Sequence, residues 1–181
     1  MGNYNQYVKS QFEQALRKLM KSNPLEKITV KMLAEECGTT RQNFYYHFRD
    51  IYDLVNWIYS AEIDKAFNSY PDEPFLTRLI RLYESMDEQR SFYKKVFSLN
   101  GQNTLVEYIV EHDLALQKKL ILDYNPSAVI DEETEFAIDF YSCAAIYMTR
   151  YWFNSPNRIS PAEFSHRLYQ CMPLHLRNIL P

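Results

Sequence analysis

Between Ile28 and Phe48 the chain starts a helix, stops it and starts another, so that two short helices must be joined by about four residues. Thr29 is suited to the N-cap of the first, because its side-chain oxygen can accept from a backbone N–H left free in the first turn. Ile28 before it and Leu33 at the fourth helical position form the hydrophobic-staple pattern. Gly38 ends this helix, since glycine enters the left-handed conformation past a helix end without steric cost. Thr40 then caps a further helix in which Phe44 and Phe48, four residues apart, share one face. Gln42, Asn43 and Tyr46 project from the other face, with Arg41 and Tyr45 at its flanks. One face packs and the other is left free to make contacts.

The same spacing of three and four apolar residues recurs along the whole chain, β-branched alternation is rare, and only three glycines (Gly2, Gly38, Gly101) occur among 181 residues. The chain therefore reads as all-α. A helix over about residues 5–21, with Val8, Phe12, Ala15, Leu16 and Leu19 on one face, precedes the central pair and ends at Ser22-Asn23-Pro24. After the pair, Asp50 caps a helix running to about residue 69, and Tyr70-Pro71-Asp72-Glu73-Pro74 breaks the chain. Beyond it, helices are expected over about Phe75–Glu88, Phe92–Phe97, Thr104–Asp123 and Glu132–Phe153, the last behind Asp131. A final one begins at Ser160-Pro161-Ala162-Glu163, a capping box with proline at the first helical position. The total is about nine helices. The expected division is a three-helix head over residues 1–50, a linking helix over 51–70, and a helical regulatory and dimerisation domain over 71–181.

Composition narrows the class. Hydrophobic residues make up 46% and charged residues 24%, ordinary globular usage that excludes a disordered chain. No run of 18 apolar residues exists and no basic segment leads into one, so neither a membrane span nor a signal peptide is expected. Gly2 does not mark a myristoylation site, because Gln6 stands where that signal requires Ser or Thr. Cys37, Cys143 and Cys171 are odd in number and scattered, as expected of reduced, packed thiols in a cytoplasmic protein. Net charge is −3, yet residues 1–49 hold 8 Lys/Arg against 4 Asp/Glu while residues 50–181 hold 12 against 19. A basic head on an acidic body can attract phosphate locally, because charges beyond about 8–10 Å are screened at physiological salt.

Enzymatic patterns are missing from the sequence. The glycines are too far apart for a phosphate loop or a dinucleotide fingerprint, and neither HExxH nor G-x-S-x-G occurs. Glu163 and His166 stand three apart on an expected helix, but a metal site in a helical bundle needs partners from other helices, and the pair reads as solvated. No catalytic residue, metal or cofactor is expected.

The stretch from Ile28 to Phe48 resembles the helix-turn-helix of the tetracycline-repressor (TetR) family. The residues that carry the likeness are Thr29, the Ala34-Glu35 pair, Gly38 and the ending Phe44-Tyr45-Tyr46-His47-Phe48, with a first helix of fitting length upstream. The likeness covers about residues 8–65. It implies a transcription regulator that binds operator DNA as a homodimer, each head reading one half-site of a palindrome. Arg41, Gln42 and Asn43 are then the base readers, since Arg suits guanine and Gln or Asn suits adenine. Tyr45, Tyr46 and His47 are placed like the family's backbone-contacting residues, and Thr29, Lys31 and Thr40 are further phosphate candidates near helix N-termini. One departure stands out: family members often carry Lys at the start of the fourth helix, where this chain has Ile51, which leaves Arg49 as a substitute.

Residues 82–97 are similar to a subgroup of the family that includes the regulator of dihydroxyacetone-kinase operons. In that subgroup a protein co-regulator can replace a small-molecule effector, and the regulator can activate as well as repress. Tyr83, Met86, Tyr108, His112, Tyr141, Tyr147 and Trp152 are the candidates for an aromatic effector pocket, with core packing as the alternative for each. Phe136, Phe140, Ala144, Tyr147, Phe164, Leu168 and Leu176, at helical spacing, are the expected dimer interface. A helical interaction protein that has lost DNA binding is the remaining alternative, motivated by Ile51 and the net negative charge.

Overall fold

The computed structural model describes residues 2–98 and 105–180. Among them are ten α-helices and no strand: α1 (Gly2–Ser22), α2 (Val30–Glu36), α3 (Arg41–His47), α4 (Ile51–Phe67), α5 (Phe75–Glu88), α6 (Arg90–Phe97), α7 (Leu105–Tyr124), α8 (Glu132–Asn154), α9 (Pro161–Cys171) and α10 (Leu174–Ile179), with a 3₁₀ turn at Leu25–Lys27. The expected start of α7 at Thr104 lies outside the described residues. The final run is two helices rather than one, because Pro173 follows Met172 and cannot donate the N–H that would continue α9. Pro173 itself then precedes α10.

Local chemistry sets these boundaries. The Thr29 and Thr40 hydroxyls accept from the backbone N–H of Met32 and Asn43, each at 3.2 Å. Asp50, Asp131 and Ser160 cap α4, α8 and α9 in the same manner. Past α2, the Thr39 N–H donates to the Ala34 carbonyl at 2.9 Å and the Gly38 N–H to the Glu35 carbonyl at 3.1 Å. This paired closure requires a left-handed residue at Gly38, whose φ is +62°.

The apolar face of each helix meets its neighbours in one continuous core from Val8 to Leu180. In the head, Phe12 of α1 meets Phe44 edge-on at 5.2 Å and Phe48 at 6.3 Å, so the aromatic pair of α3 is clamped to α1. In the body, α5 lies along α9 and α7 along α8. α4 packs on α1 at one side and on α5 and α7 at the other, and α6 packs on both α1 and α8.

Polar contacts reinforce the junction between head and body. The Lys95 ammonium of α6 donates to the carbonyls of Met20 and Asn23 at the C-terminal end of α1, where a cation complements the helix dipole. The Arg17 guanidinium stacks 4.5 Å over the Phe92 ring and lies 3.8 Å from Glu62, which also accepts from Ser85 and Gln89 at 2.6 Å. Two expectations of burial are reversed: Cys143 and Cys171 are exposed rather than packed, because each falls on the outer side of its helix.

Candidate nucleic-acid interface

The recognition face is built from α3 outward. Phe44 is fully buried and Phe48 nearly so, which fixes the helix in rotation. Arg41 and Gln42 consequently face solvent at the N-terminal end, with Tyr45 and Tyr46 exposed one turn on. Tyr46 is 82% exposed, a high value for an aromatic residue whose neighbours two positions either side are buried. Asn43 is half-buried, its amide donating to the Thr39 hydroxyl at 3.0 Å, so one of its two donors is already committed. Thr29 and Thr40 spend an acceptor on their caps but remain exposed, and Lys31 is exposed beside Glu35 at 3.8 Å.

Three further residues that the sequence did not single out join this surface. The His47 ring Nδ1 lies 2.9 Å from the Asn5 side-chain oxygen on α1. The Lys9 ammonium sits 5.2 Å above the Phe48 ring and 5.7 Å above Trp57, which holds it at the edge of the same face. Burial first, and the Lys9 charge second, hold the His47 pKa below the ordinary imidazole value. Asn5 and Lys9 stand four apart on α1, the one hint available in the sequence that both share a side. Thr39 completes the set through Asn43.

Ile51 is half-buried against the core and offers no donor. Arg49 is exposed beside it, 3.4 Å from Asp50, and its backbone N–H donates to Asp53 at 2.9 Å. Glu163, of the pair weighed for metal binding, is engaged by Arg167 at 2.6 Å.

The pocket candidates separate into two groups and one residue, Tyr147, that joins neither. Tyr83, Met86, Tyr141 and Trp152 are buried, and the polar atoms among them have partners in the chain. The Tyr83 and Thr149 hydroxyls are 2.6 Å apart, the Tyr141 hydroxyl donates to the Leu168 carbonyl at 3.2 Å, and the Trp152 indole N–H donates to the Ile159 carbonyl at 2.9 Å. The cavity beside Tyr83 and Met86 is about 20 Å³, room for little more than a water molecule and too small for an organic effector. Tyr108 and His112 belong to the α4–α7 contact, with Tyr108 bonded to the Ser60 hydroxyl at 2.7 Å and His112 beside both Tyr59 and Tyr108. The His112 Nδ1 is buried without a partner among the described residues, and burial lowers its pKa. Tyr147 is 70% exposed and away from this interior.

The residues expected at a dimer interface also divide. Phe136, Phe140, Ala144 and Tyr147 form an exposed stripe along α8. Phe164, Leu168 and Leu176 point the opposite way, into the chain's own core, because α9 presents its apolar face to α5 and Leu176 packs beneath α8. Between α8 and α9 runs an open apolar groove of about 360 Å³, lined by Phe140, Met148, Tyr151 and Cys171 and also by two of the pocket candidates, Tyr141 and Trp152.

An all-helical chain with a capped helix-turn-helix on a larger helical body defines a class of DNA-binding transcription regulators. The chain belongs to the TetR family: the model for bacterial regulatory proteins of the tetR family matches residues 14–58, and that for a transcriptional regulator C-terminal region matches residues 73–173. It is 25% identical over 138 residues to the HTH-type dhaKLM operon transcriptional activator DhaS of Lactococcus lactis, spanning 76% of this chain and 68% of that protein. A solved structure titled dihydroxyacetone kinase operon activator DhaS superposes with a TM-score of 0.66 at 22% identity, covering 95% of this chain and 97% of the other, which establishes likeness of fold. No helix among the described residues is long and apolar enough to cross a membrane.

Proposed function

We propose that this TetR-family transcriptional regulator binds a palindromic operator as a homodimer, with residues 1–50 as the reading head, 51–70 as the link and 71–181 as the regulatory and dimerising body. The observation that carries the proposal is the division of α3: Phe44 and Phe48 are locked into α1, while Arg41, Gln42, Tyr45 and Tyr46 stand together in solvent. Arg41, Gln42 and the free amide hydrogen and oxygen of Asn43 match base edges in a major groove. Tyr45, Tyr46 and His47, with Thr29, Lys31, Thr40 and Lys9 at the rim, match phosphate and fix register. The exposed stripe of α8 accounts for pairing of two copies, which a twofold operator requires.

Selection of genomic fragments by the purified protein at low salt tests this function, and enrichment of a twofold site is the expected result. On the recovered site, Gln42→Ala costs about 1–3 kcal/mol at its base pair and relaxes preference there. Equal losses on operator and random DNA would remove Gln42 from the base readers.

A small-molecule effector and a protein co-regulator both remain compatible with a switch, since either must favour one spacing of the two heads by a few kcal/mol. The partnered polar atoms of the Tyr83 cluster and the small cavity there favour a protein co-regulator, whereas the apolar groove between α8 and α9, which Tyr141 and Trp152 line, has the size for a small-molecule effector. Activation is the expected direction on the same grounds as the relative named a transcriptional activator. Saturable binding of a metabolite that alters operator affinity would favour the effector instead.

A further inference from the structure

The contact between α1 and α3 on the operator face bears on how His47 meets a phosphate. The ring Nδ1 lies 2.9 Å from the Asn5 side-chain oxygen, an acceptor, so the hydrogen of this bond resides on Nδ1. In the neutral imidazole only one nitrogen carries a proton, and Nε2 then presents a lone pair. Among the described residues Nε2 has no hydrogen-bond partner and is not a buried orphan. A phosphate oxygen is also an acceptor. A neutral His47 in this tautomer therefore meets phosphate lone pair to lone pair, and only the imidazolium can donate from both nitrogens.

We propose that Asn5 is a positioning residue for operator binding: its side-chain oxygen keeps the His47 proton on Nδ1, so that contact between Nε2 and a DNA phosphate requires uptake of one further proton from solvent. The proposal rests on the assignment of His47 to phosphate contact. Of the groups facing the ring, Lys9 from α1 is cationic and opposes protonation in the free protein, while Tyr46, on the same helix, sets its ring edge-on at 5.0 Å. Phosphate reverses the balance when DNA arrives. The sign follows: His47 is mostly neutral in the free protein above its lowered pKa, and bound phosphate raises that pKa. Affinity is therefore greatest at low pH and weakens as pH rises between the two values, by at most about tenfold per pH unit for one proton.

The test is operator affinity of the full chain from about pH 6 to about 8.5 at fixed salt, the window in which imidazole titrates. Wild-type affinity falls several-fold across this range. His47→Gln, which donates without titrating, gives a flat profile. Asn5→Ala frees the imidazole to adopt the Nε2–H tautomer and donate while neutral, so its slope is reduced although the ring remains. A wild-type slope equal to that of His47→Gln, or an Asn5→Ala slope equal to wild type, would overturn the proposal. Nitrogen NMR of the His47 ring in the DNA-free protein provides a measurement independent of DNA. The Nδ1–H form is the expected result; an Nε2–H form, with the Asn5 amide turned to donate, overturns the proposal. Failure to bind any DNA fragment at every pH would instead defeat the functional assignment, and the ring tautomer would still decide the role of Asn5.

Discussion

Head and body both expose aromatic side chains, but of different kinds and to different ends. On the head the exposed rings are tyrosines, Tyr4, Tyr7, Tyr45 and Tyr46, whereas Phe12, Phe44 and Phe48 are buried. On α8 of the body two phenylalanines, Phe136 at 72% and Phe140 at 65%, stand out in line with Tyr147 and Tyr151. A tyrosine ring in water keeps its hydroxyl solvated and ready to bond a polar partner, but a phenylalanine ring gains nothing from exposure. The head's surface is thus suited to phosphate and the α8 stripe to an apolar partner, for which a second copy of the chain is the proposed occupant. Contiguous exposed apolar patches of this type mark interaction sites.

The comparison breaks most severely at the buried side of α3. Phe44→Ala removes a ring with no exposure that contacts Phe12, Tyr45 and Phe48, and a buried Phe→Ala change costs about 3–5 kcal/mol. Urea denaturation followed by circular dichroism should show this loss, together with loss of DNA binding, because α3 is no longer held in rotation. A loss below about 1 kcal/mol would mean that α3 is not clamped by this cluster.

The exposed stripe gives the next largest effect. Phe136→Lys combined with Phe140→Lys places two charges at the centre of the proposed pairing face while removing no packed side chain from the core. Sedimentation equilibrium should report a monomer with an unchanged helical spectrum. Operator affinity should fall on the order of a hundredfold, since the second head loses the high local concentration that pairing provides. A double variant that remains dimeric would move the interface elsewhere, with the α9 side of the groove as the next candidate.

What was legible in the sequence was local. The caps Thr29, Thr40, Asp50, Asp131 and Ser160 each act where the pattern places them, because capping involves residues within three or four positions. The exposed edge formed by Arg41 and Gln42 followed from the spacing of Phe44 and Phe48. Contacts across the chain were not legible: His47 and Asn5 are 42 positions apart, and Lys95 and Met20 are 75 apart. The dimer candidates show the same limit. Phe140 and Phe164 both sit at helical spacing among apolar neighbours, yet only packing decides that Phe164 stacks on Trp152 at 4.9 Å while Phe140 faces out. Periodicity identifies an apolar face; where helix α8 is apolar on two sides, it does not say which side belongs to the chain itself.

The smallest effect isolates backbone from packing at the turn between α2 and α3. A Cβ added at Gly38 would meet nothing within 4 Å, so there is no steric reason in the surroundings to keep glycine. Its φ of +62° is the reason, since an L-residue in that conformation is strained by roughly 1–2 kcal/mol. Gly38→Ala should therefore lower stability by about 1 kcal/mol, and Gly38→Asn by less, because asparagine tolerates the left-handed region. Both variants should keep operator affinity near wild type once folded, as neither alters the exposed edge of α3. Equal costs for Ala and Asn would point to crowding around the added side chain rather than backbone strain, and a large affinity loss without loss of stability would mean that the turn angle itself sets how α3 enters the groove.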